Sequence, residues 1–172
     1  MADTELRTLP VRNPRNGEID FELPVAPPGE VAAKAARLRE NQKAWGTLAI
    51  GQRIAVMQRW LGEVAKRAND IAEADAMDTG GCHTSYLQGF ITMGNIGGWI
   101  EDAQAALERA SFHGPSRSMP QVEVRSQLVP YPLVGVIGPW NAPMMLVLLD
   151  AVPALFAGSA VLLKPSEITP RF

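Results

Sequence analysis

Two stretches without a charged residue, Leu133–Ile137 and Ser159–Leu163, flank a segment from Pro143 to Phe156 whose one charge is Asp150. Apolar runs that do not alternate with polar residues are expected for strands covered on both faces. Two such strands joined by a helix-length segment form a β-α-β crossover, the building block of a doubly wound parallel sheet. Pro143 suits a first helical turn, where its missing N–H is not needed, and Ala157 with Gly158 supplies the stop. Two buried strands and one apolar helix do not cover one another, so the unit calls for neighbours. The stop at Phe172 therefore reads as a truncation of a larger fold.

Upstream of this unit the chain is helical. Residues 11–30, VRNPRNGEIDFELPVAPPGE, place Asn-Pro and Asn-Gly turn signals between β-prone pieces and end in a Pro-Pro-Gly breaker, which predicts a surface hairpin or arm. From Glu30 to Trp45, Val31, Ala35, Leu38 and Gln42 share one helical face. From about Ile50 to Arg67, Ile54, Met57, Leu61, Val64 and Ala68 do so more clearly. A short helix over Asn69–Met77 ends at Gly80 and Gly81, where a left-handed cap is available. A long helix over Thr84–Ala110 sets Leu87, Ile91, Trp99, Ala103, Ala106, Leu107 and Ala110 near one stripe. Its Gly89, Gly94, Gly97 and Gly98 each cost about 1 kcal/mol against Ala unless another backbone packs closely there. His113–Pro120 reads as a loop, and Val122–Leu128 alternates like a half-exposed strand.

The fold class is therefore α/β: the start of a doubly wound, Rossmann-like parallel sheet, incomplete, preceded by a helical segment and an N-terminal arm. The expected division is an arm over 1–28, a helical part of a cofactor-binding domain over 29–120, and a strand plus the first β-α-β over 121–172.

Composition narrows the function. A net charge of −2 with scattered basic residues gives no footprint for nucleic acid or an anionic membrane. Asp150, Pro153 and Gly158 interrupt the longest apolar stretch, and the N-terminus lacks a secretory signal pattern, so no membrane span and a cytoplasmic location are expected. The single cysteine, Cys82, allows no internal disulfide. His83 and His113 have no acidic or cysteine partner at a catalytic spacing, and no metal site is expected.

Parallel strands present their following loops at one sheet edge, where ligands of open α/β sheets bind. One loop carries Pro139, Trp140 and Asn141, and the other carries Lys164, Pro165, Ser166 and Glu167. Lys164 offers three donors to hydroxyls or phosphate, and Glu167 can accept from ribose hydroxyls while repelling a 2′-phosphate. The helix opening at Pro143 points free N–H groups and a positive dipole end at the same crevice. An Asn141 amide aimed at a developing oxyanion is worth about 2.7–4 kcal/mol in comparable sites. Other readings stand beside these. Asn141 can be a turn former, Trp140 a lid on the core, and Lys164 with Glu167 a solvated surface pair. A G-x-G-x-x-G fingerprint is absent.

The stretch PLVGVIGPWNAPMM, followed by PALFAGSAVLLKPSEITP, closely resembles the aldehyde dehydrogenase superfamily over roughly residues 130 to 170. The upstream layout is also similar: an N-P-x-x-G-E arm at Asn13–Glu18 and an Ala-rich helix ending in Trp45. The resemblance implies oxidation of an aldehyde to a carboxylic acid through a cysteine thiohemiacetal, with hydride passing to a nicotinamide. It implies that Asn141 is the side-chain donor of the oxyanion hole. Ile137, Gly138, Pro139 and Trp140 would line the nicotinamide side, and Lys164 and Glu167, with Ser166 beside them, would hold the adenosine ribose. It implies NAD as cofactor, with NADP possible, a small-molecule aldehyde substrate, and a homodimer or homotetramer of the complete protein.

The family's nucleophile and general base are expected beyond Phe172, with Cys82 excluded from that role and the 172 residues inactive alone. Trp99, Met144, Met145 and Leu146 are candidates for the aldehyde approach and hint at an apolar or aromatic substrate. The alternative is a truncated non-catalytic remnant with an interaction or structural role.

Overall fold

The arm expected before Pro27 is an antiparallel hairpin, β1 (Thr8–Arg12) paired with β2 (Ile19–Pro24), in a computed structural model that describes residues 7–172. Its turn closes through the Asn13 side chain, which accepts from the Arg15 amide at 2.9 Å, and through Gly17, whose φ of +77° suits glycine. Four helices follow: α1 (Pro28–Thr47), α2 (Ile50–Lys66), α3 (Ala68–Thr79) and α4 (Cys82–Arg109). Gly80 ends α3 in the left-handed conformation, as the Gly-Gly signal predicts. A second antiparallel hairpin joins β3 (Phe112–Pro115) to β4 (Glu123–Ser126). The chain then enters β5 (Leu133–Ile137), α5 (Pro143–Ala157) and β6 (Ala160–Lys164), with β5 and β6 parallel.

The core forms where α2, α4 and α5 meet. Met57, Ile96, Ala103, Val152 and Phe156 are buried together, with Trp60, Trp99 and Leu148 packed against them. Val136, Val147 and Ala151 make a second cluster that seats α5 on the parallel strands. Burial of a side chain the size of Phe156 stabilises the fold by roughly 1.5–3 kcal/mol.

The C-terminal end of α1 fastens α5. A helix end leaves carbonyls without intrahelical partners. Here the Trp45 indole donates to the Leu155 carbonyl at 2.9 Å, and the Gln42 amide donates to that of Gly158 at 2.8 Å. Gly158 has φ +104°, and a Cβ there would meet Arg53 Nη1 at 3.1 Å. Arg53 is buried and donates to the carbonyls of Gly46 and Leu48, an anchor that the apolar periodicity of α2 does not reveal.

Several expectations are corrected. Phe112–Pro115, read in part as loop, is a strand, because pairing with β4 overrides the weak local propensity of Gly114 and Pro115. β4 is exposed on both faces, so its alternation marks no buried side. The face that α4 buries is Ser85, Thr92, Ile96 and Ala103, whereas Leu87 and Ile91 of the predicted stripe are exposed. Small residues win there because they let α3 and α5 come close. A Cβ added to any of Gly89, Gly94, Gly97 and Gly98 would meet nothing within 4 Å beyond the adjoining backbone of its own helix, so no close neighbouring backbone accounts for these glycines of α4. Ile137 and Leu163, at the ends of strands expected to be covered on both faces, are exposed. No helix among the described residues is long and apolar enough to cross a membrane.

Candidate functional site

The parallel register sets Ile137 opposite Lys164, and the Gly138 amide donates to the Lys164 carbonyl at 2.9 Å. The loops after β5 and β6 therefore leave the sheet side by side, as parallel geometry requires. Gly138 is buried, and a Cβ on it would stand 2.3 Å from Val147 Cγ1 of α5. A gap below 3 Å between carbon atoms is far inside van der Waals contact. Only glycine lets the strand end meet the helix so closely.

Pro139, Trp140 and Asn141 follow, all exposed, before the chain turns inward at the buried Ala142 and Pro143. Ile137 and Trp140 keep 78% and 59% of their surface open, so the rim offers apolar area next to polar donors. Ala142 caps α5 without a side-chain hydrogen bond, which leaves the first-turn amides of the helix free of a side-chain acceptor. The Asn141 carboxamide has no hydrogen-bond partner among the described residues. Its backbone carbonyl accepts from Gln88 Nε2 of α4 at 3.4 Å.

On the neighbouring loop, Lys164 Nζ donates to Glu167 Oε2 at 2.6 Å and to the Pro165 carbonyl at 3.0 Å. The hydrogen bond from Lys164 holds the Glu167 carboxyl below its ordinary pKa, so it is an ionised acceptor. Both side chains are more than half exposed, so the pair itself adds little stability. Ser166 points the other way. It is buried, and its hydroxyl accepts from the Ile168 amide at 3.1 Å, which shapes the turn that projects Glu167 outward.

Seven of the residues singled out in the sequence thus share one edge: Ile137, Gly138, Pro139, Trp140 and Asn141 on one loop, and Lys164 and Glu167 on the next. Ser166 lies in the floor of the second loop. Gln88 escaped the sequence reading, although Ser85, Gln88 and Thr92 make a polar line at helical spacing on α4. Together with Asp75, Met144 and Met145, these three line a crevice of about 10 Å³ beneath the Asn141 loop, room for one water at most. A hollow of about 940 Å³ lies between the end of α4 and the β3–β4 hairpin and is lined by none of these residues.

The remaining candidates lie elsewhere. Cys82 is exposed at the start of α4, with Arg15 Nη2 3.4 Å from its sulfur. Trp99 packs against the core cluster. His113, expected to have no acidic or cysteine partner at a catalytic spacing, forms an exposed pair across the hairpin with Glu123, at 2.8 Å. Antiparallel pairing of β3 with β4 brings the two strands together, which spacing along the chain cannot show. Among the described residues no group of three His, Cys, Asp or Glu side chains could hold a metal ion.

A family model described as aldehyde dehydrogenase family matches residues 1–172. A candidate succinate-semialdehyde dehydrogenase [NADP(+)] of Mycolicibacterium smegmatis is 30% identical over 165 residues, covering 95% of this chain and 32% of that protein. The solved structure of a candidate aldehyde dehydrogenase, PutA from Anabaena variabilis, superposes with a TM-score of 0.91 at 38% identity, covering 96% of this chain and 35% of that one. A NAD-dependent benzaldehyde dehydrogenase from Corynebacterium glutamicum shares the fold with a TM-score of 0.87 at 24% identity, covering 97% of this chain and 36% of that one. The chain thus spans about a third of the length of the relatives it matches.

Proposed function

The chain belongs to the aldehyde dehydrogenase family, and on that premise we propose that it contributes the oxyanion donor and the cofactor-binding edge to NAD(P)-dependent oxidation of an aldehyde to a carboxylic acid through a cysteine thiohemiacetal. The observation that carries this reading is the Ile137–Lys164 register, which gives the Asn141 loop and the Lys164–Glu167 couple a common rim. Nucleophile and general base come, in this reading, from the part of the enzyme that the relatives have beyond these residues. Cys82, exposed at the start of α4 and set against Arg15, has no share in the chemistry.

Asn141 acts as a fixed dipole. Its carboxamide N–H donates to the aldehyde oxygen as the attacking sulfur pushes charge onto it. Such a donor is worth about 2.7–4 kcal/mol because it is already oriented when the charge appears. The rim also fits a dinucleotide. Open apolar surface at Ile137 and Trp140 suits one flat ring face, and the remaining donor of Lys164 and the ionised carboxylate of Glu167 suit a ribose diol. When bound, the dinucleotide supplies a hydride acceptor. Ile137, Pro139 and Trp140 exclude water from that face, and Gly138 lets the loop approach it. Ser166 serves the same function indirectly by holding the turn under Glu167.

Glu167 favours NAD, since a carboxylate repels a 2′-phosphate; NADP is accepted when Lys164 turns to the phosphate. Residues 29–120 and 121–172 are then parts of one cofactor-binding domain, with 1–28 as an arm. The complete enzyme is a cytoplasmic homodimer or homotetramer, and the exposed Phe112, Val122 and Val124 of the β3–β4 hairpin give it an apolar contact surface.

The test is direct. The full-length protein carrying these residues should reduce NAD in the presence of an aldehyde, read at the absorbance of the reduced nicotinamide, and residues 1–172 alone should not. Failure of the full-length protein with a broad panel of apolar, aromatic and acidic aldehydes would remove the reading.

A further inference from the structure

Asn141 can act as a preformed donor only if its backbone is held, and the chain around it holds little. The Gly138 amide ties the start of the loop to β6, and the Leu146 amide, bonded to the Ala142 carbonyl at 3.0 Å, ties its end to α5. Between these anchors, Asn141 itself makes one hydrogen bond among the described residues, from Gln88 Nε2 to its carbonyl. That bond comes from a different element, fifty-three positions away in the chain.

We infer that Gln88 is a positioning residue for the proposed reaction: by donating to the Asn141 carbonyl it fixes the peptide plane between Asn141 and Ala142, and with it the direction of the Asn141 side chain. The inference rests on the oxyanion role assigned to Asn141.

A peptide unit is planar, so a donor on its oxygen restrains the rotation by which the loop would swing its Cα–Cβ bond. The rest of α4 is built to deliver the contact. Ser85 and Thr92, one turn to either side of Gln88, are each only 2% exposed, and their small size lets α4 lie close to the first turn of α5. Thr92 Oγ1 donates to the Gln88 carbonyl at 2.7 Å and fastens the donor's own backbone. Met144 and Met145 fill the space between, in the crevice that Gln88 also lines. Gln88 itself is partly exposed, so its replacement leaves the buried face of α4 intact.

The experiment uses the full-length protein and a double-mutant cycle. Gln88→Met keeps the length of the side chain and removes the donor, whereas Gln88→Lys restores a donor of similar reach. The expected result is a fall in kcat of about five- to tenfold for Gln88→Met, the scale of one hydrogen bond, with KM for NAD and the melting temperature unchanged. Gln88→Lys should recover most of the loss. In an Asn141→Ala background, Gln88→Met should have no further effect on kcat, because there is no carboxamide left to aim. The inference is overturned if Gln88→Met leaves kcat unchanged, if it raises only the KM for aldehyde, or if it lowers kcat equally in the Asn141→Ala background. If Asn141→Ala by itself leaves kcat unchanged, the proposed oxyanion role fails first, and the positioning role fails with it.

Discussion

Arg171 holds Asp78 with both its main chain and its side chain: its amide donates to Oδ2 at 2.7 Å and its guanidinium to Oδ1 at 2.6 Å. The Asp78 side chain is fully buried, at the end of α3. The same guanidinium reaches Asp20 of the N-terminal arm and stacks over Phe21, 5.2 Å from the ring centre. One cation thus ties the segment after β6 to α3 and to the β1–β2 hairpin. Removing one partner of a buried ion pair strands the other charge. Arg171→Ala should therefore cost about 3–5 kcal/mol in denaturant unfolding, and Asp78→Asn in the same chain should restore part of it. A cost below about 1 kcal/mol would show that water reaches Asp78 and relieves it.

Asp75, one turn earlier on α3, lacks such a cation. Burial raises its carboxyl pKa, a hydrogen bond with Ser85 opposes the shift, and one of its oxygens has no partner. The folded protein then holds this proton more tightly than the unfolded chain does. Its contribution to stability is complete below the ordinary carboxylate range and is lost as pH rises through the raised value. Asp75→Asn should flatten the decline in melting temperature as pH rises above the ordinary carboxylate range, with the gain over the parent growing as pH rises. Parallel melting curves for parent and variant above that range would refute this.

For turnover, Asn141→Ala in the full-length protein should lower kcat by about 10²-fold or more, with a much smaller change in the affinity for NAD. Steady-state kinetics with NAD titration separates the two. Equal losses in both would mean that the loop, and not the carboxamide, had been damaged.

Glu167→Ala should weaken NAD binding by about tenfold or more, the scale of hydrogen bonds to a charged group. It should also shift the ratio of affinities towards NADP, since the carboxylate that repels a 2′-phosphate is gone and Lys164 is freed. Calorimetric titration with both dinucleotides reads each effect, and unchanged NAD affinity would end the ribose assignment.

The crossover unit was legible because Leu133–Ile137 and Ser159–Leu163 leave a strand no polar face to expose. From that reading the nearness of Asn141 and Lys164 followed, because parallel strands end at the same edge. The helical half was legible only in part. On α4, hydrophobicity points to Leu87 and Ile91, yet the helix buries Ser85 and Thr92, since closeness to α3 and α5 matters more there than apolar area. The ties from Trp45 to Leu155 and from Arg171 to Asp78 join positions 110 and 93 residues apart, and no local spacing encodes them. The roles proposed for Asn141, Lys164 and Glu167 rest on resemblance, since their spacing alone fits a plain surface turn better.

The contact between Gly138 and Val147 leaves room for a hydrogen atom and nothing larger where β5 ends. A Cβ there would stand 2.3 Å from Val147 Cγ1, with the Lys164 carbonyl and the Pro165 Cα also within 4 Å, so a larger residue would pry α5 from the strand end that carries Ile137 to Asn141. The donor proposed for the oxyanion and the surface proposed for the dinucleotide hang from that one strand end, so a single added methyl group would disturb both together.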